Sequence, residues 1–225
     1  MEGVPSGRIS LEKPVVIACP LPDGGSLALD GLFRAGASPD APGVLIAAPH
    51  PLYGGSMESP VVTQVGLAAA SVGLASLRFD WRGVGASSGT ASGEAADLDA
   101  DYAAALHHLA ETVPGPLCAA GYSMGAAAAA RVAHGEPRVT ALLLVAPPPS
   151  MLDDAKLAAF RGRVLVVTGD RDRIAPAAEL RARVEALPAA RFACLPEVDH
   201  FFGTGLSELG RVVETWLAEM EPEPL

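Results

Sequence analysis

Gly121-Tyr122-Ser123-Met124-Gly125 is the stretch that decides the reading of this chain. Before it, residues 116–120 (Pro-Leu-Cys-Ala-Ala) read as the end of a buried strand. After it, the alanine run 126–130, continued by Arg131, Val132 and Ala133, reads as a closely packed helix. A serine on so sharp a strand-to-helix turn sits on strained backbone, with its hydroxyl raised above the sheet. Glycines on both sides keep Cβ atoms out of that approach. Such a turn is a nucleophile elbow, and it points to ester or other acyl chemistry.

The chain carries its own control. Gly85-Ala86-Ser87-Ser88-Gly89 also spells G-x-S-x-G, and 24 glycines make one chance match unremarkable. That copy follows the polar turn Asp80-Trp81-Arg82-Gly83 and runs on into Thr90, Ser92 and Gly93, with no strand before it and no helix after it. Context therefore makes 83–93 a solvated turn and excludes Ser87 as nucleophile. The partial dinucleotide fingerprint Gly83-x-Gly85 lacks its third glycine, where Ser88 stands.

The 225 residues suit one α/β domain over 1–225, with a frayed tail at 221–225. Half of the residues are hydrophobic and only 5% aromatic, so the core must be built of Ala, Val and Leu. The formal charge of −10 argues against nucleic acid or an anionic membrane as partner. Cys19, Cys118 and Cys194 are far apart and form no C-x-x-C, which suits buried, reduced thiols. The first residues lack a basic n-region followed by an apolar h-region, and no apolar run reaches membrane-spanning length. A cytoplasmic protein is expected. Asparagine is absent, so no N-glycan can be carried.

Strand-like and helical runs alternate. Segments 15–18 and 27–33 read as an antiparallel start around Asp23-Gly24-Gly25. Strands follow at 44–48, 74–79, 140–145, 164–168 and 191–195, besides the elbow strand. Helices are expected at 58–72, 94–109, 179–187 and 206–220. Acids gather early in 94–109, where the helix dipole favours them. This pattern predicts a mostly parallel sheet with helices on both faces.

A serine hydroxyl needs a base within hydrogen-bonding reach. Beyond the later strands, Asp170 and Asp172 lie in one loop and Asp199-His200-Phe201-Phe202 in another. The order Ser123, Asp172, His200 is that of an α/β-hydrolase triad. Together with Pro49-His50-Pro51-Leu52-Tyr53-Gly54-Gly55-Ser56-Met57 and Arg78-Phe79-Asp80-Trp81-Arg82-Gly83, this layout resembles the α/β-hydrolase superfamily over essentially the whole chain. Its likeness is to small lidless bacterial serine hydrolases related to dienelactone hydrolases and carboxylesterases.

The resemblance implies Ser123 as nucleophile, His200 as general base and Asp172 as the orienting carboxylate, with Asp170 as the rival acid. The family pattern of glycine, two residues, aspartate and then proline matches Gly169, Asp172 and Pro176. Met124 N–H is expected in the oxyanion hole, with Leu52 N–H as its partner and Tyr53 as the alternative, since Pro51 has no N–H. Tyr53, Met57, Trp81, Met151 and Phe201 are the expected pocket lining. No cofactor or metal is called for: His50 has no second ligand at metal spacing and shapes its loop. Only 146–163 separates two strands where relatives carry a cap, so an open, shallow site for small acyl substrates is expected. The activity implied is hydrolysis of small carboxylic esters, lactones or thioesters. A peptidase or acyltransferase with the same triad, and an idle binding module, are the competing readings. The sequence gives no oligomeric state.

Overall fold

The computed structural model describes residues 11–220; the N-terminal stretch and the tail 221–225 lie outside them. Strands β1 (Lys13–Pro20), β2 (Ser26–Arg34), β3 (Gly43–Ala47), β4 (Ala75–Phe79), β5 (Leu117–Tyr122), β6 (Val139–Val145), β7 (Arg163–Gly169) and β8 (Ala190–Leu195) form one sheet. Their order is β1-β2-β4-β3-β5-β6-β7-β8. β1 and β2 pair antiparallel, β2 joins β4 antiparallel, and every later pairing is parallel. Position in the sheet explains the sequence pattern. Strands β3, β4 and β5 are buried along their whole length, and β3 and β5 read as almost unbroken apolar runs while β4 buries Ser76 and Arg78; the edge strand β1 alternates buried and exposed residues.

Helices α1 (Pro60–Ser71) and α6 (Leu206–Leu217) pack on each other over one face of the sheet; α2 (Ala95–Thr112) and α3 (Met124–Val132) pack together over the other. α4 (Asp154–Ala159) and α5 (Ala177–Glu185) flank the later strands. Between β6 and β7 only one short turn and the six-residue α4 intervene, so there is no cap domain. The helix bounds differ from expectation by a turn or less. The last stretch, 218–220, winds as a single 3₁₀ turn beyond α6.

Two features set the site. After β3 the chain crosses to β4 on one side and later to β5 on the other, which leaves a crevice beyond the carboxyl ends of β3 and β5. Into it α3 is pressed very close, because residues 126–130 are all alanine and all buried. A Cβ on Gly125 would strike the carbonyl oxygens of Ala47 and Ala48, and one on Gly121 would strike the backbone of Gly125. The elbow glycines are thus required by backbone-to-backbone contact. Beneath the crevice, the few aromatics stack edge to face: Phe79 on Trp81 at 4.9 Å and Phe79 on Tyr102 at 6.2 Å. Such pairs contribute about 0.5–1.5 kcal/mol each beyond burial.

Candidate active site

Ser123 sits between β5 and α3 with φ 55° and ψ −118°, a conformation non-glycine residues rarely adopt. Its N–H donates to Val145 O at 2.8 Å, and its own carbonyl accepts from Ala126 and Ala127. Strain of this kind costs about 1–3 kcal/mol and persists only where the surroundings impose it. Ala146, Glu197 and Phe202 also have positive φ, the last two close to His200 on either side.

The Ser123 hydroxyl lies 2.9 Å from His200 Nε2, and His200 Nδ1 lies 2.8 Å from Asp172 Oδ2. All three side chains are buried. The other Asp172 oxygen accepts two backbone N–H bonds, from Ile174 at 2.8 Å and Ala175 at 2.7 Å. Burial alone would raise this carboxyl. The hydrogen bond from His200, the N–H of Ala175, the charge on His200 and the N–H of Ile174 outweigh it and hold the group below the ordinary carboxylate value. An ionised Asp172 fixes the proton of His200 on Nδ1 and leaves Nε2 as an acceptor facing Ser123. The arrangement fits a Ser-His-Asp triad. Asp170, the rival acid, is exposed. Asp199 accepts the N–H of Phe201 at 3.1 Å and braces the loop.

The loop after β3 departs from expectation. Leu52 N–H donates to His50 Nδ1 at 3.2 Å, and Tyr53 N–H to His50 O at 3.2 Å, so neither proposed partner of Met124 is free. The Leu52 side chain is exposed. Neither the N–H of His50 nor that of Met124, which opens α3, has a protein acceptor among the described residues. Both residues line the same cleft. The His50 ring caps its own turn by accepting from Leu52, and burial pushes the ring below the ordinary histidine value, so it is the neutral tautomer that fits there.

The cleft holds about 710 Å³ and includes Tyr53, Met151 and Phe201, as expected, together with Tyr122, Pro148, Ser150 and Ile174. Met57 and Trp81 do not line it. Trp81 is fully buried, and its indole N–H is shared between Ala48 O (3.1 Å) and Pro49 O (3.0 Å), so it supports the loop from below. Met57 is buried with its N–H on Asp80 Oδ1 and its carbonyl on the Arg78 guanidinium, both at 2.7 Å. Loops rather than a cap build its walls.

Tyr122 is a site residue no spacing rule announces. Its phenol donates to the carbonyl of His200 at 2.5 Å, and its ring meets Phe202 edge on at 5.8 Å. Elbow and histidine loop are thereby tied together. Ser87 has a different occupation: buried rather than solvated, it donates to Asp80 O and accepts from Asp30 N–H, both at 2.8 Å, and closes the turn. Cys19 and Cys118 are buried free thiols; burial pushes Cys19 to about 11, and Cys118 higher still. Among the described residues no group of three His, Cys, Asp or Glu could hold a metal, and no helix is long and apolar enough to cross a membrane.

Solved structures of serine hydrolases share this fold. An alpha-beta serine hydrolase homologue from Coxiella burnetii is 29% identical, with 90% of this chain and 97% of that one covered, at a TM-score of 0.75. XC6422 from Xanthomonas campestris, described as an a/b serine hydrolase without lid, superimposes at a TM-score of 0.78, with 96% and 97% covered and 24% identity. The chain belongs to the α/β-hydrolase superfamily. Residues 52–155 of this α/β hydrolase match the family model for serine aminopeptidase, S33. The uncharacterized protein RP471 of Rickettsia prowazekii (strain Madrid E) is 27% identical over 204 residues, 86% of this chain and 85% of that protein.

Proposed function

We propose that this α/β hydrolase is a serine esterase cleaving carboxylic esters through an acyl-enzyme. The observation that carries the reading is the unbroken relay from Ser123 Oγ to His200 Nε2 (2.9 Å) and from His200 Nδ1 to Asp172 (2.8 Å) at the floor of a cleft. Ser123 attacks the ester carbonyl while His200 takes its proton. Asp172 holds the imidazole in the required tautomer and stabilises the imidazolium. The N–H groups of Met124 and His50 receive the oxyanion, which replaces the expected Leu52. His200 then protonates the departing alkoxide, and water, deprotonated by the same histidine, releases the acid. Lactones and thioesters present the same carbonyl.

Chain 1–225 acts as one domain in this account, in the cytoplasm, where buried reduced thiols at Cys19 and Cys118 raise no conflict with a reducing milieu. A charge of −10 keeps nucleic acid and anionic membranes off. A peptidase reading is favoured by one finding, the match to the serine aminopeptidase, S33 model. Comparing p-nitrophenyl butyrate with aminoacyl p-nitroanilides separates the two. Hydrolysis of the ester with no release from the anilides supports the esterase; preference for the anilides overturns it.

A further inference from the structure

The chemistry of the cleft wall narrows the substrate further. Sixteen residues line it, and among these none carries a permanent charge. Three carboxylates nearby are already taken up. Asp172 lies behind His200 with both oxygens engaged. Glu58, next to the lining residue Ser59, pairs with Arg78 at 3.2 Å. Asp199 is turned to the N–H of Phe201. The mouth, in contrast, is apolar and strongly exposed: Tyr53 is 86%, Phe201 75% and Ile174 48% accessible, with Met124 and Met151 deeper in.

Resting on the esterase reading, we propose that the cleft selects uncharged, apolar acyl groups and rejects both anionic and cationic ones. An acyl group bearing a carboxylate or an ammonium must shed water on entering and finds no countercharge among the lining residues to replace it. A neutral hydrocarbon group instead covers the exposed rings at the mouth and gains from burial. At about 710 Å³ the cleft lies in the range that holds drug-sized ligands, well beyond an acetyl group. Butyryl and longer acyl groups should therefore outperform acetyl. The protein's charge of −10 adds a long-range bias, repelling an anionic ester and drawing in a cationic one. Raising the salt should thus recover part of the anionic rate and none of the cationic.

The test is a set of near-isosteric p-nitrophenyl esters: butyrate, hemisuccinate and 4-aminobutyrate, with acetate and octanoate as a length series and fluorophosphonate labelling of the same preparation. The expected kcat/KM for butyrate exceeds both charged esters by about 30-fold or more. The Ser150→Arg variant, which places a cation in the wall, should narrow the butyrate-to-hemisuccinate ratio by about tenfold. Charged esters cleaved within threefold of butyrate overturn the selection while leaving the esterase intact. Labelling without turnover of any ester overturns the selection and leaves only a reactive serine. Neither labelling nor turnover overturns the esterase reading as well.

Discussion

Replacing Asp172 by Asn probes the relay with almost no change of shape. One Asp172 oxygen accepts the N–H groups of both Ile174 and Ala175. An asparagine must keep its carbonyl oxygen there, because its NH₂ in that place would face two donors. Leaving the buried N–H of Ala175 unpaired would alone cost about 1–3 kcal/mol, and the partly buried N–H of Ile174 adds to it, which settles the orientation of the amide. The NH₂ then faces His200 Nδ1 and donates to it. His200 must hold its proton on Nε2, where it meets Ser123 Oγ and has no lone pair to accept the serine proton. The ring stays in position in the wrong tautomer. On this argument kcat for p-nitrophenyl butyrate falls by about 10⁴-fold, the loss known when a triad aspartate is so replaced. KM should change little, and the variant should remain folded. Steady-state kinetics with a fluorophosphonate labelling rate reads the effect. An Asp172→Asn variant with more than a tenth of normal kcat would refute the tautomer argument, and with it the role of Asp172.

The remaining predictions follow from single contacts. His50 has φ −58°, which proline accepts, so His50→Pro removes the N–H without forcing that torsion, while His50→Ala keeps it. The proline variant should lose about 10²–10³-fold more kcat than the alanine variant if that N–H meets the oxyanion, and equal losses would return the role to another donor. Gly125→Ala drives a Cβ into the carbonyl oxygens of Ala47 and Ala48; a loss of about 1–3 kcal/mol, roughly 3 °C of Tm per kcal/mol, should appear by scanning calorimetry. Asp172 sits below its unfolded value, so its stabilisation is present above the ordinary carboxylate range and is lost as pH falls through the depressed value. His50 acts in the same sense from about pH 6.5 downward, because protonation favours the unfolded chain. Asp80, raised by burial, opposes them. Urea midpoints measured from about pH 7 to pH 3 should fall, and less steeply in Asp172→Asn; an unchanged slope would contradict the linkage.

The alternation of strands and helices was legible because it follows from burial: doubly covered strands such as β3 are apolar throughout, and the residue run 126–130 can only serve a helix packed very close to a sheet. Ser123, Asp172 and His200 were legible because each lies just beyond a strand, where a parallel sheet gathers its loops. The engagement of the loop after β3 was not legible: the N–H groups of Leu52 and Tyr53 are spent on His50, closing the turn, and no spacing marks that. Met57 and Trp81 were misread because neighbourhood in a motif says nothing of direction. Both belong to the layer under the loop. Tyr122 was invisible for a related reason: its partner is a backbone carbonyl 78 residues away, and nothing local marks that hydrogen bond.

Peptide mapping after treatment with a fluorophosphonate gives the most direct check of the central claim. One adduct is expected, on Ser123, lost in Ser123→Ala and much slowed when His200 is replaced by alanine. An adduct on Ser87, or an unmodified Ser123 in folded protein, would contradict it.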